Sequence, residues 1–245
     1  MSKQTELAQV ADTITVNSGK IGIGESDPDT SLDVVGGSAD SVIDTLTLKN
    51  DNIGASAGTG INFVVDGVND ITTAAIYGQR TGAAYHQGSL QFLTRDNSGG
   101  GLAERMRIDS AGRVTMPYQP SFIAYYATTT NLSGSSTVIF THTRINRGSH
   151  YSTSSGRFTA PVSGVYQFNY AVRSSTSQAY CRTRLYKNGA TYSIMEAGHA
   201  FNNSSHYQYS TVMSLAAGDY VNVNVDAGFT INIDAFSQFS GYLVG

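Results

Sequence analysis

The chain has no tryptophan, one cysteine, four prolines and few charges, with Lys, Arg, Asp and Glu together making 13% of its 245 residues. Each shortage excludes something. With Cys181 alone, no intrachain disulfide can form, so the fold does not depend on an oxidising compartment. Low charge together with 40% hydrophobic residues excludes a disordered chain. A net charge of −3 gives no basic surface for nucleic acid. No apolar run approaches the length of a membrane span, so no membrane insertion is expected. The opening MSKQTELAQVADTITV lacks the basic-then-apolar order of a secretory leader. These features predict a soluble protein folding in a reducing environment.

What is present is β-forming. Gly or Ser interrupts almost every ten-residue window, which leaves little room for helices, and 26 glycines supply turns. The expected class is all-β. Charge and tyrosine divide the chain. Up to Pro117 there are 14 acidic and 8 basic residues; beyond it, 4 acidic and 7 basic. Only Tyr77 and Tyr85 precede Met116. Pro117 and Pro120 flank the change, and the predicted boundaries are 1–19, 20–117 and 118–245.

The first portion reads as short strands between glycine turns: Lys20–Gly24, Ser31–Gly37, Thr45–Asn50, Ile61–Gly67, Ala74–Gly78, Ser89–Asp96, Arg105–Ser110 and Arg113–Met116. In SLQFLTRD, Leu90 and Phe92 face one way, Gln91 and Leu93 the other. Its apolar residues are too dispersed for a thick monomeric core, which predicts a β-rich intertwined shaft completed by neighbouring chains.

The second portion alternates strongly. Tyr166, Phe168, Tyr170 and Val172 share a face, as do Val221, Val223 and Val225, and Ile231 and Ile233. Turn signals at Lys187-Asn188-Gly189 and Ala217-Gly218-Asp219 separate the runs. Regular strands with one apolar face predict a two-sheet sandwich. In RFTAPVSGVYQFNY, Gly164 bends the chain so that Tyr166, Phe168 and Tyr170 enter the space between sheets.

The segment FTHTRINRGSHYSTSSGRFTAPVSGVYQFNY resembles the signature of the complement component 1q globular-head family. Phe140, Asn146, Tyr151, Phe158, Gly164, Tyr166, Phe168 and Tyr170 fill its fixed positions at the right spacing. LYKNGA, LAAGDYVNVNV and FSGYLVG resemble later strands of that family, in order. The resemblance spans Phe122 to Gly245. It implies a ten-stranded jelly roll, like that of tumour necrosis factor, assembled as a homotrimer. The first portion has no collagen-like Gly-X-Y run. GKIGIGESDPDTSLDVVGG and LAERMRIDSAGRVTM instead resemble segments of bacteriophage tail fibres and related virion proteins. Together the two resemblances imply a phage fibre or spike, assembled in the host cytoplasm and carried on the virion. Its head would bind a host-surface glycan or protein receptor, and its N-terminal segment other virion proteins. Alternatives are a capsid-decorating or baseplate protein without receptor binding, and a polysaccharide depolymerase.

No constellation supports catalysis. Gly22-Ile23-Gly24 lacks a third glycine and a following helix, and Gly54–Gly60 lacks the Lys-Ser/Thr of a phosphate loop. No nucleophile elbow occurs. The five histidines show no metal-ligand spacing. The acids sit mostly at turn positions, which explains them without a glycosidase pair. No cofactor is expected; calcium is a candidate only at Asp27 and Asp29, where a solvated turn is the favoured reading. The candidate binding stretch is Glu196–Ser210, with Phe201, Asn202, Asn203, His206 and Tyr207 as rings and amides for a glycan. Arg182 and Arg184 add attraction there if they project outward.

Overall fold

A computed structural model describes residues 14–36, 46–51, 54, 56–65, 71–82, 87–96, 99–173, 181–197 and 206–245. Among the described residues every regular element is a strand, and no helix is long and apolar enough to cross a membrane. The chain forms two compact units, Met1–Val114 and Thr115–Gly245.

In the first unit, β1 (Ile14–Asn17) and β2 (Lys20–Ile23) form a hairpin, and β3 (Leu32–Val34) lies parallel to β2. The hairpin turn is Ser18-Gly19, both at positive φ, the backbone that matches strand twist in a two-residue loop. A second sheet runs in sequence order through β4 (Gly58–Val64), β5 (Thr72–Arg80), β6 (Gly88–Arg95), β7 (Leu102–Ile108) and β8 (Val114–Thr115). Asp109 closes the β7–β8 turn: its carboxylate accepts the Ala111 and Arg113 N–H groups and pairs with the Arg113 guanidinium at 2.7 Å. The recorded pairings of β1–β7 join strands that are neighbours in sequence, and they do not support the expected intertwined shaft. Residues 46–50, read as part of a strand, are not one; Asn50 instead donates a side-chain hydrogen bond to the Gly58 carbonyl.

The second unit is a sandwich. Its strands are β9 (Ser121–Tyr125), β10 (Thr130–Ser133), β11 (His142–Arg147), β12 (Tyr151–Ser152), β13 (Arg157–Thr159), β14 (Gly164–Arg173), β15 (Cys181–Lys187), β16 (Ala190–Ala197), β17 (His206–Leu215), β18 (Tyr220–Val225), β19 (Thr230–Ile233) and β20 (Gln238–Leu243). One sheet has the order β11-β9-β20-β14-β17 and the other β12-β13-β18-β15-β16; β10 and β19 form a two-stranded flank. Ten strands in two five-stranded sheets make the jelly-roll-like fold expected of this portion.

Period-2 alternation drives the packing. Tyr166, Phe168, Tyr170 and Val172 of β14 meet Val221, Val223 and Val225 of β18 in one core. Phe122 sits at its centre, stacked on Tyr151 at 4.9 Å and on Phe158 at 5.0 Å, and edge-on to Phe239 at 4.9 Å. Gly241 leaves the space that the Phe168 ring fills: a Cβ there would stand 2.6 Å from the ring. Gly164 has a similar duty, since a Cβ would come within 2.7 Å of Leu243.

Candidate functional site

Six of the eight signature residues lie in the core, and Asn146 and Gly164 are half-buried. Phe140, Tyr151, Phe158, Tyr166, Phe168 and Tyr170 are buried in the core. The Tyr151 hydroxyl donates to the Phe140 carbonyl at 3.3 Å, and burial raises its pKa well above that of a free phenol. Burial likewise pushes Tyr126 up to about 12. Such phenols stay protonated at physiological pH and act as fixed donors, not acids.

The two ends of the sandwich differ. At the end where the chain enters at Ser121, tight turns close the strands. Asn188 and Gly189 join β15 to β16 at positive φ. Asp219 accepts from the Asn188 amide at 2.7 Å and from the Ala216 N–H at 2.9 Å, and pairs with Lys187 at 3.1 Å. These contacts, led by Asn188, hold its carboxyl down at about 2. At that end the Asp219 carboxylate ties the β15–β16 and β17–β18 turns together.

At the opposite end the strands finish at Arg173, Cys181, Ala197 and His206, with Arg173 opposite His206 and Cys181 opposite Ala197. Arg173 pairs with Asp234 at 2.9 Å and lies over the Phe236 ring at 4.5 Å, while that ring remains 66% exposed. Beside them, Asp226 accepts from Arg184 at 2.8 Å and from Arg182 at 3.3 Å; Arg182 also reaches Glu196 at 2.8 Å and lies over Phe229. Burial opposes ionisation of Asp226, yet the Arg184 contact, the Ala227 N–H and Arg182 keep its pKa below the usual carboxylate value.

Of the candidate binding residues, Phe201, Asn202 and Asn203 lie outside the described residues. His206 and Tyr207 are the first residues of β17 rather than part of an irregular stretch. Tyr207 pairs with Val172 and packs against the core, so its ring is turned inward, while His206 is exposed. Arg182 and Arg184 do project from the outer face of their sheet, but Asp226 and Glu196 neutralise them. Phe236 was missed because it stands outside any alternating run. Asp27 accepts from Asn17, and Asp33 accepts the Asp29 N–H, as turn-closing groups; among the described residues no three potential ligands cluster for a metal.

Two five-stranded sheets closed over an aromatic core make an all-β, jelly-roll-like domain. The chain belongs to the C1q domain family, whose model matches residues 121–244. It is 34% identical over 116 residues to human Adipolin, covering 40% of this chain and 38% of that protein. It is 33% identical over 132 residues to mouse Complement C1q tumor necrosis factor-related protein 3, covering 51% of each. The chain thus spans at most about half the length of these relatives. Among solved structures, the globular domain of a zebrafish complement 1qA protein aligns with 51% of this chain and 98% of its own at 22% identity, with a TM-score of 0.41.

These findings overturn the phage reading. The relatives are human and mouse proteins, not virion components, and none of them indicates a fibre, capsid or baseplate role, a virion location or a virion partner. The segments behind that reading have a simpler physical origin. GKIGIG lies in the β1–β2 hairpin, and RMRIDSAGRVT is strand, Asp-capped turn and strand, which any short meander needs. The family is non-enzymatic, so the depolymerase alternative falls with the rest.

Proposed function

We propose that the protein is a homotrimeric recognition protein whose head, residues 118–245, binds a protein partner through the end carrying Arg173, His206 and Phe236. Residues 20–117 act as the stem that displays the head, and 1–19 as its attachment segment. The observation that carries the reading is the two-thirds exposed Phe236 ring beneath the Arg173 guanidinium, at the end away from the turns tied by Asp219. Aromatic and arginine side chains of this kind dominate the energetics of protein interfaces. The relatives' names, which join complement C1q and tumor necrosis factor, support a binding or signalling role.

Trimerisation is supported by the outer face of the β14 sheet. Val165, Val212, Tyr242 and Ile145 are each between about two-fifths and just over half exposed there. Gln167, Asn169 and Ser210 lie among them, and the face carries no carboxylate. A closed ring of three copies buries such a face symmetrically.

The test is binding of fluorescently labelled protein to cultured human and mouse cells by flow cytometry. Phe236→Ser is expected to lower saturable binding several-fold, while Ala190→Ser at the end tied by Asp219 leaves it unchanged. Equal binding by both variants overturns the assignment of the binding end.

A further inference from the structure

The second unit carries an excess of positive charge that falls in one place. Its four side-chain carboxylates are all engaged: Asp219 with Lys187, Asp226 with Arg184, Glu196 with Arg182 and Asp234 with Arg173. Of its seven basic side chains, that leaves Arg144, Arg147 and Arg157. Among the described residues none of these three pairs with a carboxylate. Arg157 lies on β13, over the Tyr220 ring at 4.1 Å. The other two stand on β11, an edge strand of the opposite sheet. The backbone explains their common direction. β11 pairs with β9 through a bulge between Thr143 and Ile145. Thr143 and Asn146 oppose Ala124 and Phe122, which point into the core, while Ile145 and Arg147 oppose Ile123 and Ser121, which point outward. The extra residue is Arg144, and its guanidinium lies 4.2 Å over the outward Tyr125 ring. A bulge re-aims a side chain, and here it sets Arg144 and Ile145 in succession on one exposed face. Arg147 makes a long hydrogen bond, 3.5 Å, to the Met116 carbonyl.

We propose that this basic rim binds an acidic peptide segment of a protein partner. Arg144 and Arg147 each take a carboxylate, and Ile145 with Ile123 takes an apolar side chain between them. The site is separate from the Phe236 end and does not depend on it. Three observations select the occupant. The rim has two guanidiniums and no carboxylate, and a guanidinium fork matches a carboxylate in charge and geometry. The Tyr125 ring already holds Arg144, so less side-chain freedom is lost on binding. The apolar pair between the charges suits a peptide side chain, whereas a sulfated polysaccharide has nothing apolar to place there. Edge charges also deter strand pairing between like edges, a role that predicts no ligand at all. The rim borders the face assigned above to the trimer without being its centre. Arg147 and Val212 end one row across the sheet, about 19 Å apart at about 4.8 Å per strand.

The experiment titrates the full chain into a fluorescein-labelled peptide, Gly-Glu-Glu-Ile-Glu-Glu-Gly, and into its glutamine counterpart. Fluorescence anisotropy is read at about 20 mM and about 200 mM salt. Arg144→Gln, Arg147→Gln and Arg157→Gln each remove one exposed, unpaired charge, so the three variants share one net charge and need no repacking. The acidic peptide is expected to bind, more weakly at the higher salt. Arg144→Gln and Arg147→Gln should each weaken it several-fold, with Arg157→Gln within about twofold of the parent. An equal loss in all three shows only general attraction to a basic unit and overturns the inference. So does binding no stronger than that of the glutamine peptide, or no binding at low salt. A heparin oligosaccharide that binds through Arg144 and Arg147 while the peptide does not also overturns it, and assigns the rim to sulfated polysaccharide. Light scattering on the same samples separates this result from the trimer: a trimer that fails to bind overturns the rim site and leaves the trimer reading standing.

Discussion

Asn146 and Tyr151 hold each other through two hydrogen bonds: the Asn146 amide donates to the Tyr151 carbonyl at 2.9 Å, and the Tyr151 N–H donates to Asn146 Oδ1 at 3.1 Å. The pair spans the Gly148-Ser149 turn, both residues at positive φ, and so sets where Tyr151 enters the core beneath Phe122. This is why the signature carries an asparagine four residues before its tyrosine's own neighbour, His150. Asn146→Ala removes both bonds and is expected to lower stability by about 1–3 kcal/mol. Chemical denaturation checks it; an unchanged midpoint contradicts the role.

Phe168 and Gly241 form a second matched pair, ring against missing side chain. Phe168→Ala is expected to cost about 3–5 kcal/mol, the usual range for a buried ring. Gly241→Ala forces the ring aside and is expected to cost about 1–3 kcal/mol. Thermal melts of both variants test the pair, and a Phe168→Ala protein melting with its parent places the ring outside the core.

Stability should fall on acidification in two windows. His150 has its pKa lowered by burial, so its folded value lies below the ordinary value near 6.5. The unfolded state then binds more protons, and stability drops as pH falls below that value. Asp219 and Asp226 are also depressed, so their contribution is full above the ordinary carboxylate value of 3.8 and is lost as pH falls through the folded one, about 2 for Asp219. Melting temperatures from pH 8 to pH 2 test the sign. Asp219→Asn should shrink the lower window, and a rise in melting temperature between pH 4 and pH 2 contradicts the account.

A fragment beginning at Tyr118 should fold alone, because the aromatic core and both five-stranded sheets lie within it. Dispersed amide resonances and a cooperative melt are the expected result; a collapsed, non-cooperative fragment contradicts it.

The sequence showed which residues share a face better than what covers that face. The β14 alternation put Tyr166, Phe168 and Tyr170 together, and they are together in the core. In β18, Val221, Val223 and Val225 were equally legible, but the intervening Asn222, Asn224 and Asp226 are buried as well. Arg182 and Arg184 engage Asp226, and Ser135–Thr137 meets Asn224, contacts from distant parts of the chain that no local pattern reveals. Glu196–Ser210 read as irregular because exposed Tyr192 and Ile194 blur the period before it; strand β16 runs to Ala197 and β17 starts at His206. The Arg173–Phe236 contact was illegible for a related reason: it joins a strand terminus to a residue outside any strand, and the two meet only in three dimensions.

The central claim is that three heads act as one assembly, and the mass of the full chain in solution tests it most directly. Light scattering at micromolar concentration should give three times 26.0 kDa, with no loss on moderate dilution. A homogeneous species of 26.0 kDa would contradict the claim.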